Sequence, residues 1–354
     1  MKTKQFSFKP FLFSLPLAFA IACDTENPTP PPPPVEEGFV EVNGGGATYP
    51  NTVYIDLSKG EQYPVARTDW DLAFDTGSEF RVLINGTTGA MAYPTGEFSM
   101  NEVGADLETQ LVADGTLALT FTNLEGILYV DDAANPLSKP ALGTVSATDS
   151  QNQVFVLSRG TSGTDARPWK KIRILRSGGG YSLQHAAVDA TAFATVEISK
   201  NTAQNLVYYS FENGVTEVEP EKTGWDFAWT AGTSSTPFAT AVNGTLAYFY
   251  QDLVYHNIYG GSKAVQVMES DIAYEDFVES DISALSLVSD SRLTIGPNWR
   301  SAGGPTSSPA IREDRYYVVQ DPVGNVYKVR FLALTKDGER GRPSFEFNLV
   351  NSAQ

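Results

Sequence analysis

The chain has 354 residues, of which 42% are hydrophobic and 12% aromatic, and a formal net charge of -17 from 42 acidic and 25 basic side chains. That length suits one large or two ordinary domains, and the acidic balance argues against binding a nucleic-acid backbone, which demands a basic surface. One cysteine and two histidines leave no disulfide framework and no zinc-ligand spacing, so the fold must rest on its apolar cores.

Lys2 and Lys4 precede an apolar stretch over residues 11–22 that stops at Cys23. This is the layout of a secretory signal, and the run is shorter than the roughly 20 apolar residues a mature membrane-spanning helix takes. The small residues Ala20 and Ala22 suit cleavage just before Cys23, although Ala20 stands where a lipobox usually has leucine. The expectation is a signal peptide over 1–22 with Cys23 as the lipid-bearing first residue of the mature chain. Residues 23–38 read as a lipidated, proline-rich tether, extended like polyproline over 27–34. Asp24-Thr25-Glu26 resembles the surface-export signal of Bacteroidota lipoproteins, which implies an outer-membrane or cell-surface location.

From Phe39 onward the apolar runs are short, β-branched or aromatic, and bounded by Gly, Pro, Asn, Asp or Ser. The fold class expected is all-β and mostly antiparallel. Strands are predicted over 53–57, 153–157 and 171–175, with Ser177-Gly178-Gly179-Gly180 as a hairpin turn into 181–185. A single short helix is predicted over 274–285, opened by Asp271.

The order of elements repeats after 155 residues, the distance from Trp70 to Trp225. Thr68-Asp69-Trp70-Asp71-Leu72-Ala73-Phe74 is followed by Ile84-Asn85-Gly86-Thr87; Thr223-Gly224-Trp225-Asp226-Phe227-Ala228-Trp229 is followed by Val242-Asn243-Gly244-Thr245. Two tandem β domains, 39–192 and 193–354, are the economical reading. Alternation puts Trp70, Leu72 and Phe74 on one strand face and Asp71 and Ala73 on the other. Trp70 and Trp225 are therefore expected to build cores, with stacking on a ligand as the alternative.

At these residues the chain resembles the HmuY-like haem-binding lipoproteins of Bacteroidota. The resemblance rests on the lipoprotein signal, the Trp-Asp-(Leu/Phe)-Ala-aromatic strand with its Asn-Gly turn, Gly324-Asn325-Val326-Tyr327-Lys328-Val329, and Gly338-Glu339-Arg340-Gly341. It implies tandem HmuY-like domains that capture haem at the cell surface and pass it to an outer-membrane receptor. It also implies axial His or Met ligands to iron, and apolar walls for the porphyrin faces.

The donor inventory is short: His185 and His256, with Met91, Met100 and Met268. His185 lies in an alternating strand, where a hydrogen-bonded imidazole is expected. His256 sits in the aromatic segment 248–261 and is the first candidate, with Met268 to complete a His/Met pair. Met91 and Met100 form a second candidate pair, against which stands the common use of Met as a soft core filler. Nothing in the sequence supports an enzyme: a lipidated Cys23 is no nucleophile, and the histidines sit in no triad pattern. The rival readings are an adhesion or glycan-binding module stacking sugars on the aromatics of 248–259, and a partner-binding component of a surface assembly.

Overall fold

The computed structural model describes residues 32–303 and 307–353; the signal, Cys23 and residues 24–31 of the tether lie outside the described residues. In chain order the strands begin with β1 (Glu37–Glu41), β2 (Asn51–Asp56), β3 (Glu61–Ala66), β4 (Leu72–Asp75), β5 (Val82–Ile84), β6 (Met91–Pro94) and β7 (Phe155–Ser158). A small hairpin, β8 (Thr161–Ser162) and β9 (Asp165–Ala166), leads to β10 (Lys170–Ser177), β11 (Gly180–Ala187) and β12 (Ala194–Ile198). Then come β13 (Leu206–Ser210), β14 (Gly214–Thr216), the long pair β15 (Phe227–Pro237) and β16 (Thr245–His256), and β17 (Lys263–Met268). The chain ends with β18 (Arg300–Ser301), β19 (Ala310–Ile311), β20 (Arg315–Gln320), β21 (Val326–Ala333) and β22 (Ser344–Asn351). All the pairings between these strands are antiparallel, as the short bounded runs predict, and Ser177 faces Gly180 across the expected hairpin turn. No helix is long and apolar enough to cross a membrane among the described residues.

Four sheets carry the molecule, in the orders β1-β22-β21-β20-β17, β16-β15-β2-β3, β14-β13-β4-β5 and β12-β11-β10-β7-β6. Their cores show how they stack. Val53, Ile55, Phe227 and Trp229 pack with Tyr317, Val329, Phe345 and Phe347 between the first two sheets. Leu72, Phe74, Val207 and Tyr209 pack with Leu157, Ile172, Tyr181 and Leu183 between the last two. A middle core of Tyr54, Trp70, Ala73, Leu206, Tyr208, Trp225 and Ala228 joins the two inner sheets. Inner strands are thus buried on both faces, and every residue of β4 and β13 is buried.

This arrangement corrects the expected division into domains 39–192 and 193–354. Residues 34–354 form one compact unit, because the repeated units exchange strands. The entry strand of the first unit, β2, pairs with β15 of the second, and the entry strand of the second, β13, pairs with β4 of the first. The two junctions match bond for bond. Asp71 N–H donates to Tyr209 O at 2.8 Å and Phe211 N–H donates to Asp71 Oδ2 at 2.9 Å; Asp226 N–H donates to Ile55 O at 2.7 Å and Leu57 N–H donates to Asp226 Oδ2 at 2.6 Å. Trp70 meets Tyr208 edge to face at 5.0 Å, and Trp225 meets Tyr54 in the same way at 5.0 Å. Each of the two inner sheets buries a strand borrowed from the other half, so neither half closes a core alone.

Three local expectations also change. Trp70 precedes β4 and turns into the middle core with Ala73, while Leu72 and Phe74 face the opposite way; Trp225 stands likewise against Phe227 and Trp229. The counterpart of Asn85 is Asn257, not Asn243. Asn85 Nδ2 bridges Arg67 O and Trp70 O at 2.7 Å each, and Asn257 Nδ2 bridges Lys222 O and Trp225 O at 2.9 Å each. Asn243 instead turns the long β15–β16 hairpin with φ 58°, a left-handed conformation that asparagine tolerates. Finally, 274–285 forms two 3-10 turns, Tyr274–Asp276 and Glu279–Ala284, and the α-helix among the described residues is α1 (Ala105–Asp114). Its signals are acids in the first turn and a left-handed Gly115 at the C-terminus.

Candidate ligand-binding site

The five candidate donors fall into three places. His256 ends β16, is 1% exposed, and lines a cavity of about 110 Å³ between the inner sheets, beside Trp70, Trp225, Tyr208, Tyr259 and Arg292. Its Nε2 lies 3.2 Å from Val288 O. A carbonyl only accepts, so Nε2 carries the proton and Nδ1 keeps a lone pair, without a partner among the described residues. Burial pushes the imidazole down to about 4, against the raising effect of the Val288 and Arg292 backbone bonds, so the ring is neutral at pH 7. Met268 ends β17 in a different sheet, with Gln266 Nε2 3.3 Å from its sulfur, and does not line the His256 cavity. The structure does not bring this pair to one cavity.

Met91 and Met100 do share a place. Both are buried in an apolar cluster with Val103, Leu111, Leu117 and Val156. His185 holds Tyr209 Oη at 3.0 Å from its Nε2, the hydrogen-bonded imidazole that its strand position suggests. Among the described residues no group of three or more His, Cys, Asp or Glu could hold a metal ion.

Two acids in the His256 cavity are electrostatically unusual. Burial pushes Asp131 up to about 7, opposed by N–H bonds from Ala141 and Ile84, and pushes Glu219 up to about 7, opposed by Leu206 N–H and the Tyr208 hydroxyl. A carboxyl whose pKa is raised by folding contributes stability in full below its unfolded value and loses it as pH rises through the folded value. His256 works in the other direction: its contribution is complete above the unfolded value of 6.5 and is lost as pH falls through about 4. The melting temperature should therefore fall between pH 5.5 and 8, and Glu219→Gln should flatten that slope in thermal melts. An unchanged slope would show that folding does not raise the Glu219 carboxyl above its ordinary range.

A larger cleft, of about 410 Å³, opens beside the β15–β16 hairpin. Phe249 of β16, Leu117 and Leu119 after α1, and Trp169 before β10 form its walls, while Gly89 and Gly160 lie at its floor. Gly89 has φ +80°, and a Cβ there would stand 3.2 Å from Leu119 Cδ1 and 3.5 Å from Phe249 Cδ2. Gly160 has φ +67°, and a Cβ there would overlap Thr88 O at 1.9 Å. Glycine at both positions keeps the floor at backbone level. Leu117, Leu119 and Trp169 also belong to the cluster that holds Met91 and Met100, and neither methionine lines the cleft. The sequence pointed to Phe249 through its aromatic segment; the loop residues 117–119 carry no motif and became visible only in the fold.

The donor set does not fit an iron held from both sides: the larger cleft is lined by none of the five candidates, and the His256 cavity by one.

The model of the family described as HmuY protein matches residues 48–347 and crosses the 192/193 boundary as one stretch. Among solved structures, the apo HmuY analog of Tannerella forsythia is 14% identical, with 45% of this chain and 84% of that chain covered and a TM-score of 0.21. Apo PinO from Porphyromonas gingivitis is 8% identical, with 90% of this chain and 100% of that chain covered and a TM-score of 0.24. No curated protein matches. With 300 consecutive residues of an antiparallel all-β chain under one family model, the chain belongs to the HmuY family.

Proposed function

We propose that this protein is a lipid-anchored, surface-displayed binding protein that captures haem or a similarly flat apolar ligand and hands it to an outer-membrane receptor, without acting on it as an enzyme. Family membership supports the ligand class. The observation that carries the site is the cleft between Trp169 and Phe249: its volume falls in the range of about 300–1,000 Å³ typical of small-molecule sites, and leucine and aromatic side chains form its walls. Haem titrated into residues 24–354, which retain the whole compact unit, should give a saturable Soret shift. Trp169→Ala should weaken that binding by about 10-fold or more, or about 1.4 kcal/mol. No shift in either iron oxidation state would remove haem as the ligand.

A second reading has an observation of its own. Phe121, 58% exposed, lies 5.4 Å from Tyr248, which meets Tyr250 at 4.9 Å and is itself 37% exposed. Tyr248 and Tyr250 belong to the long hairpin and Phe121 meets Tyr248 from the loop after α1, so that sugar rings could stack on them. Binding of a glycan that survives Trp169→Ala and is lost in Tyr248→Ala would favour this alternative.

A further inference from the structure

Building on the haem-type reading, we propose that the cleft recognises the flat macrocycle and not its metal, so that an iron-free porphyrin binds as well as haem. The lining consists of Leu117, Leu119, Trp169 and Phe249 with glycine, alanine and hydroxyl residues, and it contains no His, Met, Cys, Tyr or charged side chain. Haem iron is held in proteins by imidazole, thioether, thiolate or phenolate donors, and the cleft presents none. Its best-placed hydroxyl is already engaged: Thr88 Oγ1 lies 3.0 Å from both Asn85 O and Arg159 O.

Met91 is 0% and Met100 2% exposed, and both lie in the apolar cluster that also contains Leu117 and packs against Leu119. Met91 Cε comes within 3.5 Å of the point where a Cβ on Gly126 would stand, so this methyl is held from that side as well. Bringing either buried sulfur to the cleft would require repacking this cluster, in a core where side chains interlock at crystal-like density. His256 lines the other cavity, which shares no lining residue with the cleft. What remains for the ligand is face contact with an indole and a phenyl ring and edge contact with two leucines. Such contacts depend on ring shape and apolar area, and the centre of the macrocycle makes no difference to them.

The test titrates residues 24–354 with ferric haem and, separately, with iron-free protoporphyrin, following tryptophan quenching for both and the Soret band for haem. The expected result is dissociation constants within about 3-fold of each other, with Trp169→Ala weakening both ligands by about 10-fold. His256→Ala and the double variant Met91→Leu/Met100→Leu should leave the bound-haem spectrum unchanged. Because Trp169 also supports the core, Ala166→Trp serves as the second variant. Ala166 is an exposed residue at the cleft edge, so a large ring there fills the cleft from outside and should block both ligands while the melting temperature holds. Haem binding more than about 30-fold tighter than the iron-free ring, or a Soret band altered by the histidine or methionine variants, would overturn metal independence and leave haem capture standing. Binding of neither ligand would bring down both readings together.

Discussion

Trp70→Ala and Trp225→Ala should each destabilise the whole folded unit by about 3–5 kcal/mol, the cost of truncating a buried aromatic to alanine, and each variant should unfold in one transition. The two indoles are 9% and 8% exposed and face one another's layers across a single middle core with Tyr54, Tyr208 and Leu206. If the chain were two independent domains, each substitution would melt its own half and leave the other intact. Strand exchange forbids that: removing Trp225 loosens the core against which Trp70, Tyr208 and β13 also pack. Calorimetry of the two variants decides the matter. A pair of separated transitions, one of them unmoved by the mutation, would contradict the shared core.

The second large effect is an asymmetry between two residues in matched positions. Asp71→Asn should cost about 3–5 kcal/mol, as breaking a buried ion pair does when it strands the partner charge. At neutral pH Asp226→Asn should change stability by less than about 1 kcal/mol. Asp71 is 1% exposed; Arg159 grips both its oxygens, with Nε at 2.8 Å and Nη2 at 2.9 Å, and Arg167 Nη2 stands 3.0 Å away. Its substitution leaves two buried guanidinium groups with only the half-exposed Glu212 to face them. Asp226 is equally buried but holds only the Leu57 N–H through its side chain. Desolvation, with Asp321 and Asp56 adding to it, keeps its carboxyl well above the ordinary range. An asparagine in its place substitutes one neutral group for another. Chemical denaturation at pH 7 measures both, and equal losses would mean that Asp226 is ionised in the folded protein.

Much of the fold was legible in the sequence because its signals are local. Short β-branched and aromatic runs bounded by turn residues specify antiparallel strands, and a glycine triplet specifies a tight hairpin, within windows of ten residues. The predicted strands over 53–57, 153–157 and 171–175 appear as β2, β7 and β10 with ends moved by a residue or two. The repeat of the Trp-Asp strand was also visible, and its two aspartates do occupy equivalent junctions.

What only the tertiary structure decided is which repeated element meets which. Two halves with the same strand order carry interchangeable pairing edges, so local sequence does not choose between β2 pairing within its own half and β2 pairing with β15; the choice lies in the packing of all four sheets together. The facing of Trp70 escaped for a related reason. A strand buried on both faces loses the alternation of apolar and polar residues that tells one face from the other. The cleft was hidden for a third reason: its lining is drawn from four separate places in the chain, 88–89, 117–119, single residues between Ser158 and Trp169, and Phe249, which share no period or motif and become neighbours only when the chain closes. The sequence therefore named the donors that the resemblance implies, and folding placed Met91 and Met100 in a buried apolar cluster and His256 in another cavity, because burial against residues distant in the chain, and not local pattern, decides where each side chain lies.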